Sequence, residues 1–138
     1  MNLDLNEEHE KLRGEVQEFI RACRGRAPDN TNSRASLKAP ETLKWQELLV
    51  KKGYAGRTIP KKYGGYGADF DPMSSYIIAE EFGRHNLHPG IVGQGISMLI
   101  PILLKLGSEE QKEQFIRETL LGNIIWCQGY SEPDAGSD

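Results

Sequence analysis

Apolar residues recur every three or four positions along much of the chain, which is the spacing of the buried side of an amphipathic helix. The first such series predicts a helix that begins after Asn6, a residue suited to capping a helix start. Its apolar side consists of Leu12, Val16, Phe19, Ile20 and Cys23. Residues 26–40 are polar and interrupted by proline and asparagine, so we expect a loop there.

A second helix is predicted to follow Pro40 and to end at Gly53, since glycine is typical of helix C-termini. Its apolar residues are Leu43, Leu48 and Leu49, together with Trp45 near its start. The next stretch, residues 53–69, contains many glycines. We expect it to be an ordered crossing that is not helical.

Two later helices are predicted from the residues at their starts. Asp71 and Pro72 provide a cap followed by a proline at the first helical position, which indicates a third helix. Ser108 to Gln111 form a capping box that opens a fifth helix, and Gly122 ends it. The inner residues expected are Met73, Tyr76, Ile77 and Phe82 in the third helix and Phe115, Ile116 and Leu120 in the fifth.

The most apolar stretch, residues 87–106, is predicted to be a fourth helix. Its hydropathy imitates a membrane span, but glycines and Pro101 interrupt a run shorter than the ~20 apolar residues that a bilayer requires. A helix that is apolar all round is also expected at the centre of a helical domain. We therefore predict a buried helix, kinked at Pro101 unless it begins late.

Residues 124–127, a run of β-branched and aromatic residues, predict a β-strand, and turn-forming residues follow it. A strand without a partner cannot satisfy its own backbone groups, so we expect this chain to be the front part of a longer protein. The predicted fold class is all-α. A helical N-terminal domain resembling an up-and-down bundle spans residues 1–122, and residues 123–138 form the first strand and turn of a truncated β-domain.

Composition and charge narrow the class of protein. Hydrophobic residues make up 38% of the chain and charged residues 27%, which is ordinary for a globular domain. The formal net charge of −3 argues against nucleic acid as a partner. The two cysteines, Cys23 and Cys127, form no metal or redox motif, and no signal peptide is recognisable. We expect a cytoplasmic protein with reduced cysteines and no membrane span.

Three patterns suggest chemistry only weakly. His85 and His88 have the spacing of metal ligands, but they lie at a helix-to-loop break without a third ligand, so no metal site is predicted. The glycines of residues 90–95 resemble a dinucleotide-binding pattern in reversed spacing, and helix packing explains them better. Glu80 and Glu81 are neighbours in a helix and point to different sides, so they cannot act on one substrate atom.

The tract of residues 128–138 carries most of the chemical information. Residues 128–130 would present backbone N–H and C=O groups along an edge, and the Ser131 hydroxyl can bond a ring carbonyl or ring nitrogen. Gly136 permits close approach of backbone amides to a phosphate, and Ser137 can donate to one. On these residues alone, a plain β-turn is the favoured alternative.

The same tract resembles a known motif. Residues 126–138, Trp-Cys-Gln-Gly-Tyr-Ser-Glu-Pro-Asp-Ala-Gly-Ser-Asp, are similar to the flavin-contacting signature of the acyl-CoA dehydrogenases. Residues 59–67, Ile-Pro-Lys-Lys-Tyr-Gly-Gly-Tyr-Gly, resemble the Pro-x-x-Tyr-Gly-Gly-x-Gly crossing of that family. The order of helices between the two motifs also fits the family's N-terminal helical domain.

The resemblance implies FAD-dependent α,β-dehydrogenation of an acyl-CoA substrate, with an electron-transferring acceptor and a homo-oligomer or paired subunits. It implies that Ser131 bonds the flavin ring and that Ser137 also contacts substrate. The family's glutamate base lies in a C-terminal domain, so no catalytic residue is assigned and this chain alone is expected to be inactive. The cofactor-binding residues implied are Gln128, Gly129, Tyr130, Ser131, Gly136 and Ser137.

Two other functions stay open. The chain could be a stand-alone helical interaction module whose C-terminal strand joins the sheet of a partner. It could also belong to a flavin monooxygenase or nitroalkane oxidase of the same fold.

Overall fold

A computed structural model describes residues 6–29 and 38–130 of the chain. Within these ranges the chain forms five α-helices and no strand, which confirms the prediction of an all-α domain. The helices are α1 (Glu7–Cys23), α2 (Pro40–Lys52), α3 (Pro72–Arg84), α4 (Ile100–Leu106) and α5 (Glu109–Leu120).

The predicted helix ends are confirmed where a local side chain or a glycine defines them. The Asn6 side chain accepts a hydrogen bond from the backbone of α1, and the Asp71 carboxylate accepts two from the start of α3. Ser108 and Gln111 form the predicted capping box of α5. Gly53 ends α2 with a φ of 76°, a conformation that residues with a Cβ rarely adopt.

The first core joins α1, α2 and α3. Its centre is Phe19, whose ring lies 5.6 Å from that of Trp45 and 4.9 Å from that of Tyr54, measured between centroids. The backbone of α1 lies against α3, its second neighbour along the chain. The buried residues of this core are Val16, Phe19, Ile20, Trp45, Leu49, Ile78, Phe82 and Leu87.

The second core joins the crossing of residues 53–69 to α4 and α5. The crossing is ordered and largely non-helical, as predicted, apart from a short 3₁₀ turn, Lys61–Tyr63. A Cβ at Gly65 would lie 2.2 Å from the Ile59 carbonyl oxygen, so the backbone can fold back on itself only with glycine there. The buried residues of this core are Val50, Ile59, Tyr63, Ile100, Leu103, Ile116 and Leu120.

The fourth helix begins later than residue 87. Residues 87–93 are not helical, and a π-helical turn, Gly95–Leu99, leads directly into α4. Pro101 therefore lies at the start of the α-helical part, where its missing N–H is tolerated. Among the residues that the structure describes, no helix is long and apolar enough to cross a membrane.

Three expectations about the fold need correction. The apolar stretch of residues 87–106 was expected to be buried, but Met98, Ile102 and Leu106 are 48%, 54% and 76% exposed. Tyr76 was expected on the inner side of α3 but is 59% exposed, because the buried face is rotated toward Ser74, Ile78 and Glu81. Residues 124–127 were expected to form a strand, but residues 125–130 have no regular secondary structure. A strand requires backbone hydrogen bonds to a paired neighbour, and residues 125–130 make none to any described residue.

Candidate functional site

The cofactor-binding residues predicted from the sequence fall into two groups. Gln128, Gly129 and Tyr130 are described and exposed, and Tyr130 is 77% accessible to solvent. Ser131, Gly136 and Ser137 lie outside the described residues, as does the substrate-binding assignment of Ser137. The structure therefore places the start of the predicted site, residues 128–130, on the surface beyond α5.

The exit from α5 is fixed by backbone bonds. The N–H groups of Asn123 and Ile124 both donate to the carbonyl of Glu118, at 2.9 and 3.2 Å. The Lys38 ammonium group donates to the Asn123 carbonyl at 2.7 Å. Gly122 turns the chain with a φ of 80°, and a Cβ at this position would lie 2.2 Å from the Ile91 side chain. These contacts give the segment that follows a defined starting direction.

Trp126 holds the same segment at its middle. Its indole Nε1–H donates to the Thr119 hydroxyl at 2.8 Å, and its ring packs edge-on against Phe115 with centroids 5.5 Å apart. A Cβ added to Gly95 would lie 2.7 Å from the indole Cδ1, so the ring occupies the space that a side chain would need. We call Gly95, Phe115, Thr119 and Trp126 the Trp126 cluster.

A shallow cleft of about 40 Å³ runs beside this cluster. Val92, Gln94 and Ile125 line it together with Trp126. The Gln94 side-chain amide reaches the Gln128 side-chain oxygen at 3.5 Å, the outer limit of a hydrogen bond. The segment that leads into the π-helical turn and the predicted cofactor-binding residues thus face the same side of the molecule.

A larger groove of about 880 Å³ lies between α3, α4 and the crossing. We call it the α3–α4 groove. Its walls are mainly apolar, with Phe70, Ile78 and Leu104 among them, and it also contains the cationic side chains of Arg57 and Lys105. Its lining includes none of residues 128–130, the predicted cofactor-binding residues that the structure describes. Ile96 lines both this groove and the shallow cleft, so the π-helical turn separates the two.

His88 has a structural role. Its buried Nδ1 accepts a hydrogen bond from the Gly90 N–H at 3.1 Å, and its carbonyl accepts one from the Trp45 indole at 2.8 Å. Burial lowers the pKa of His88, which favours the neutral imidazole that can accept this bond. No group of three or more potential metal-binding side chains occurs within residues 6–29 and 38–130.

The Glu80–Glu81 pair belongs to an ion-pair network between α1 and α3. One guanidinium nitrogen of Arg13 lies 2.7 Å from the Glu80 carboxylate and 2.6 Å from that of Glu81. The expectation that these two side chains cannot reach one atom is therefore wrong, because both lean toward α1. The hydrogen bonds that Arg13 donates to these carboxylates, first to Glu80 and then to Glu81, raise the pKa of Arg13. Glu81 is only 1% exposed and also accepts a bond from Gln17. The pair therefore holds two helices together.

Gln46 is a site-positioning residue that the sequence analysis missed. Its side chain donates to the Leu120 carbonyl at 2.7 Å and accepts from the Ile91 N–H at 2.8 Å. It thereby joins the end of α5 to the segment that leads into the π-helical turn. The only sequence signal was a glutamine between Trp45 and Leu49 on the buried side of a helix.

Comparison with known proteins gives consistent matches over the described ranges. Residues 6–123 match the family model for the acyl-CoA dehydrogenase N-terminal domain. The chain is 32% identical to the acyl-CoA dehydrogenase IpdE1 of Mycolicibacterium smegmatis, over 90% of this chain and 34% of that protein. It is 31% identical to the mitochondrial isovaleryl-CoA dehydrogenase of Bos taurus, over 97% of this chain and 31% of that protein.

The fold also matches a solved structure. A chain of the ChsE4-ChsE5 complex from Mycobacterium tuberculosis superposes with a TM-score of 0.67 at 24% identity, over 99% of this chain and 34% of that one. The present chain thus spans about a third of the length of the relatives that it matches.

Proposed function

This chain belongs to the acyl-CoA dehydrogenase family, and from that premise we propose that it is the N-terminal helical part of an FAD-dependent enzyme. The proposed reaction is α,β-dehydrogenation of an acyl-CoA thioester. The observation that carries the proposal is the family match over residues 6–123, followed directly by the exposed residues 128–130. We place the domain boundary after Gly122, so that residues 123–138 begin the cofactor-binding β-domain.

The described part of the segment suits a flavin-contacting role. Residues 125–130 make no backbone hydrogen bond to any other described residue, so their donors and acceptors are open to a ring edge or to a further strand. When bound, FAD supplies the acceptor for the β-hydrogen of the thioester. Gln128 to Tyr130 would lie along the ring, and the Ser131 hydroxyl would donate to it. Gly136 and Ser137 would meet the pyrophosphate or the CoA arm.

The proton-abstracting base is assigned to a glutamate outside this chain. A carbonyl group must be polarised before its α-proton becomes acidic, and fixed hydrogen-bond donors do this best in a site that excludes water. This chain contributes a packed wall of helices to such a site. Within the complete protein, this chain would therefore help to position the cofactor and substrate, without performing the chemistry.

Flavin content is the direct test. The complete protein should bind FAD stoichiometrically, and its visible flavin absorbance should fall when acyl-CoA is added without oxygen. The 138-residue chain alone should do neither, because most of the cofactor-binding domain is missing from it. Stoichiometric FAD binding by the isolated chain would contradict the division into domains. A complete protein without flavin would contradict the proposed reaction.

We also propose that the complete protein is cytoplasmic, forms a homo-oligomer or paired subunits and passes electrons to an electron-transferring acceptor. The side chains of Phe70 and Leu106 are 81% and 76% accessible to solvent, and large apolar side chains exposed in this way support contacts with a further protein subunit. Light scattering would give the mass of the assembly. A monomer in solution would contradict this part of the proposal.

A second candidate function uses the same open segment. An unpaired extended stretch can add a strand to the sheet of another protein, and residues 125–130 have no described backbone partner. A stand-alone module would be a stable monomer whose amides after residue 124 become protected from hydrogen exchange only with a partner. Oxygen uptake with a non-thioester substrate would instead indicate a flavin monooxygenase or nitroalkane oxidase.

A further inference from the structure

We propose that the Trp126 cluster positions residues 128–130 for contact with the flavin ring, with Thr119 and Trp126 as its decisive members. The inference rests on the proposed flavin-dependent function. It adds positioning residues that lie inside the helical domain and outside the flavin-contacting motif proper.

The hydrogen bond between Trp126 and Thr119 sets the orientation of the indole. Thr119 lies in the last turn of α5 and is 2% exposed, so its hydroxyl is held by the helix. The indole has a single hydrogen-bond donor, its Nε1–H, which donates to this hydroxyl at 2.8 Å. The perpendicular contact with Phe115, at an interplanar angle of 81°, restricts the ring further.

Gly95 makes room for the indole. A Cβ at this position would lie 2.7 Å from Trp126 Cδ1 and 2.8 Å from the Thr119 methyl group. Gly95 also begins the π-helical turn, a feature that often marks functional sites because it shifts side chains out of the regular helix register. The turn, the end of α5 and the exit segment therefore fit together at this one point.

The cluster acts at short range on the predicted cofactor contacts. Gln128 is two residues beyond Trp126, and an extended chain advances by about 3.3 Å per residue. Gln94, the neighbour of Gly95, reaches Gln128 from the other side at 3.5 Å. Loss of the indole's anchor would thus release the backbone only two residues before Gln128.

Within this cluster, Trp126 contributes more to position than to core stability. Trp126 belongs to neither hydrophobic core, and its sequence neighbours Ile125 and Cys127 are exposed. Trp45, in contrast, is 1% exposed in the first core and donates its own indole hydrogen bond to the His88 carbonyl. The chain has two tryptophans, so the same substitution can be compared at both.

The test measures FAD affinity and melting temperature of the complete protein in parallel. Thr119→Val keeps the shape and removes the acceptor, and Trp126→Phe keeps an aromatic ring and removes the donor. Each should weaken FAD binding by roughly five- to tenfold, as expected for loss of one hydrogen bond that fixes a binding segment. Thr119→Ser keeps the hydroxyl and should bind FAD as the parent does.

Trp45→Phe is the matched control. It should lower the melting temperature at least as much as Trp126→Phe does and leave FAD affinity unchanged. Parent-like FAD affinity in Thr119→Val and Trp126→Phe would overturn the inference. Equal weakening in Trp45→Phe, or in Thr119→Ser, would overturn it as well. A parent protein without FAD affinity would refute the proposed function itself, and this inference with it.

Discussion

Gln46 is a polar side chain with no exposed surface that bonds two separate segments. Gln46→Leu keeps a similar volume but leaves the Ile91 N–H and the Leu120 carbonyl without their partner. We expect the free energy of unfolding to fall by about 2–6 kcal/mol, since each of the two unsatisfied groups costs about 1–3 kcal/mol. Urea denaturation would measure this, with Gln114→Leu as the exposed control, which should change stability by less than about 0.5 kcal/mol.

Arg13 provides a second prediction at the level of single residues. Arg13→Met would leave the Glu81 carboxylate, 1% exposed, with Arg84 at 3.6 Å as its one cationic partner among the described residues. Breaking a buried ion pair costs about 3–5 kcal/mol of folding stability. Because Arg84 still neutralises part of the Glu81 charge, we expect the loss for Arg13→Met to lie at the lower end of this range. Lys11→Met, which breaks an exposed pair with Glu15 in the same helix, should cost less than about 0.5 kcal/mol.

Equal losses for Arg13→Met and Lys11→Met in denaturant titrations would show that burial of Glu81 has no energetic consequence.

Single residues could be predicted from the sequence where their partners are close along the chain. Asn6 and Asp71 cap helices through bonds to residues two or three positions away, so the local sequence was enough to predict them. Gln46 and Glu81 bond to partners 45 to 74 positions away, which a single sequence does not reveal. Tyr76 was misplaced because periodicity fixes a helix face only to within about one residue.

At the level of elements, the start of α3 predicts a dependence on pH. A hydrogen bond from the Ser74 hydroxyl, and then one from His9, lower the pKa of Asp71 to about 2. An aspartate in an unfolded chain has a pKa of about 3.9. Because the folded value is the lower one, the stabilisation is complete above about pH 4 and is lost as the pH falls toward 2.

Asp71→Asn tests this dependence, because asparagine also caps helices but does not titrate in this range. Between pH 5 and pH 2 the parent should lose about 1 kcal/mol more stability than the variant, a figure reduced because the Asp71 side chain is 38% exposed. Thermal unfolding at a series of pH values would measure it. Parallel curves for the two proteins would contradict a role for the ionised cap.

Lys62 and Lys112 also lower the pKa of Glu109 to about 2, so both proteins should lose stability in acid.

Elements with their own start and stop signals were predictable, and those that depend on distant packing were not. The helices α1, α3 and α5 begin at side-chain caps that can be recognised in the sequence. The π-helical turn could not be predicted, because Gly95 is required there by the distant Trp126. The strand expected at residues 124–127 depends on a partner that a local pattern cannot supply.

For the whole molecule, the sequence predicted the class of the fold but not the α3–α4 groove or the shallow cleft beside the Trp126 cluster. The α3–α4 groove is formed by segments between Tyr54 and Lys105, and its walls come from residues of both cores. For the candidate site, the sequence identified residues 128–130, whereas the Trp126 cluster became visible only when α5 and the π-helical turn were brought together.

The packing of α1 against α3 has a consequence for synthesis on the ribosome. Arg13 meets Glu80, which is added 67 residues later. At about 5–20 residues per second, roughly 3–13 s pass before the part of α3 that completes the cover of α1 exists. Nascent chains of this protein should therefore depend on chaperones that shield an early amphipathic helix. Slower translation of residues 24–71 should lengthen that exposure.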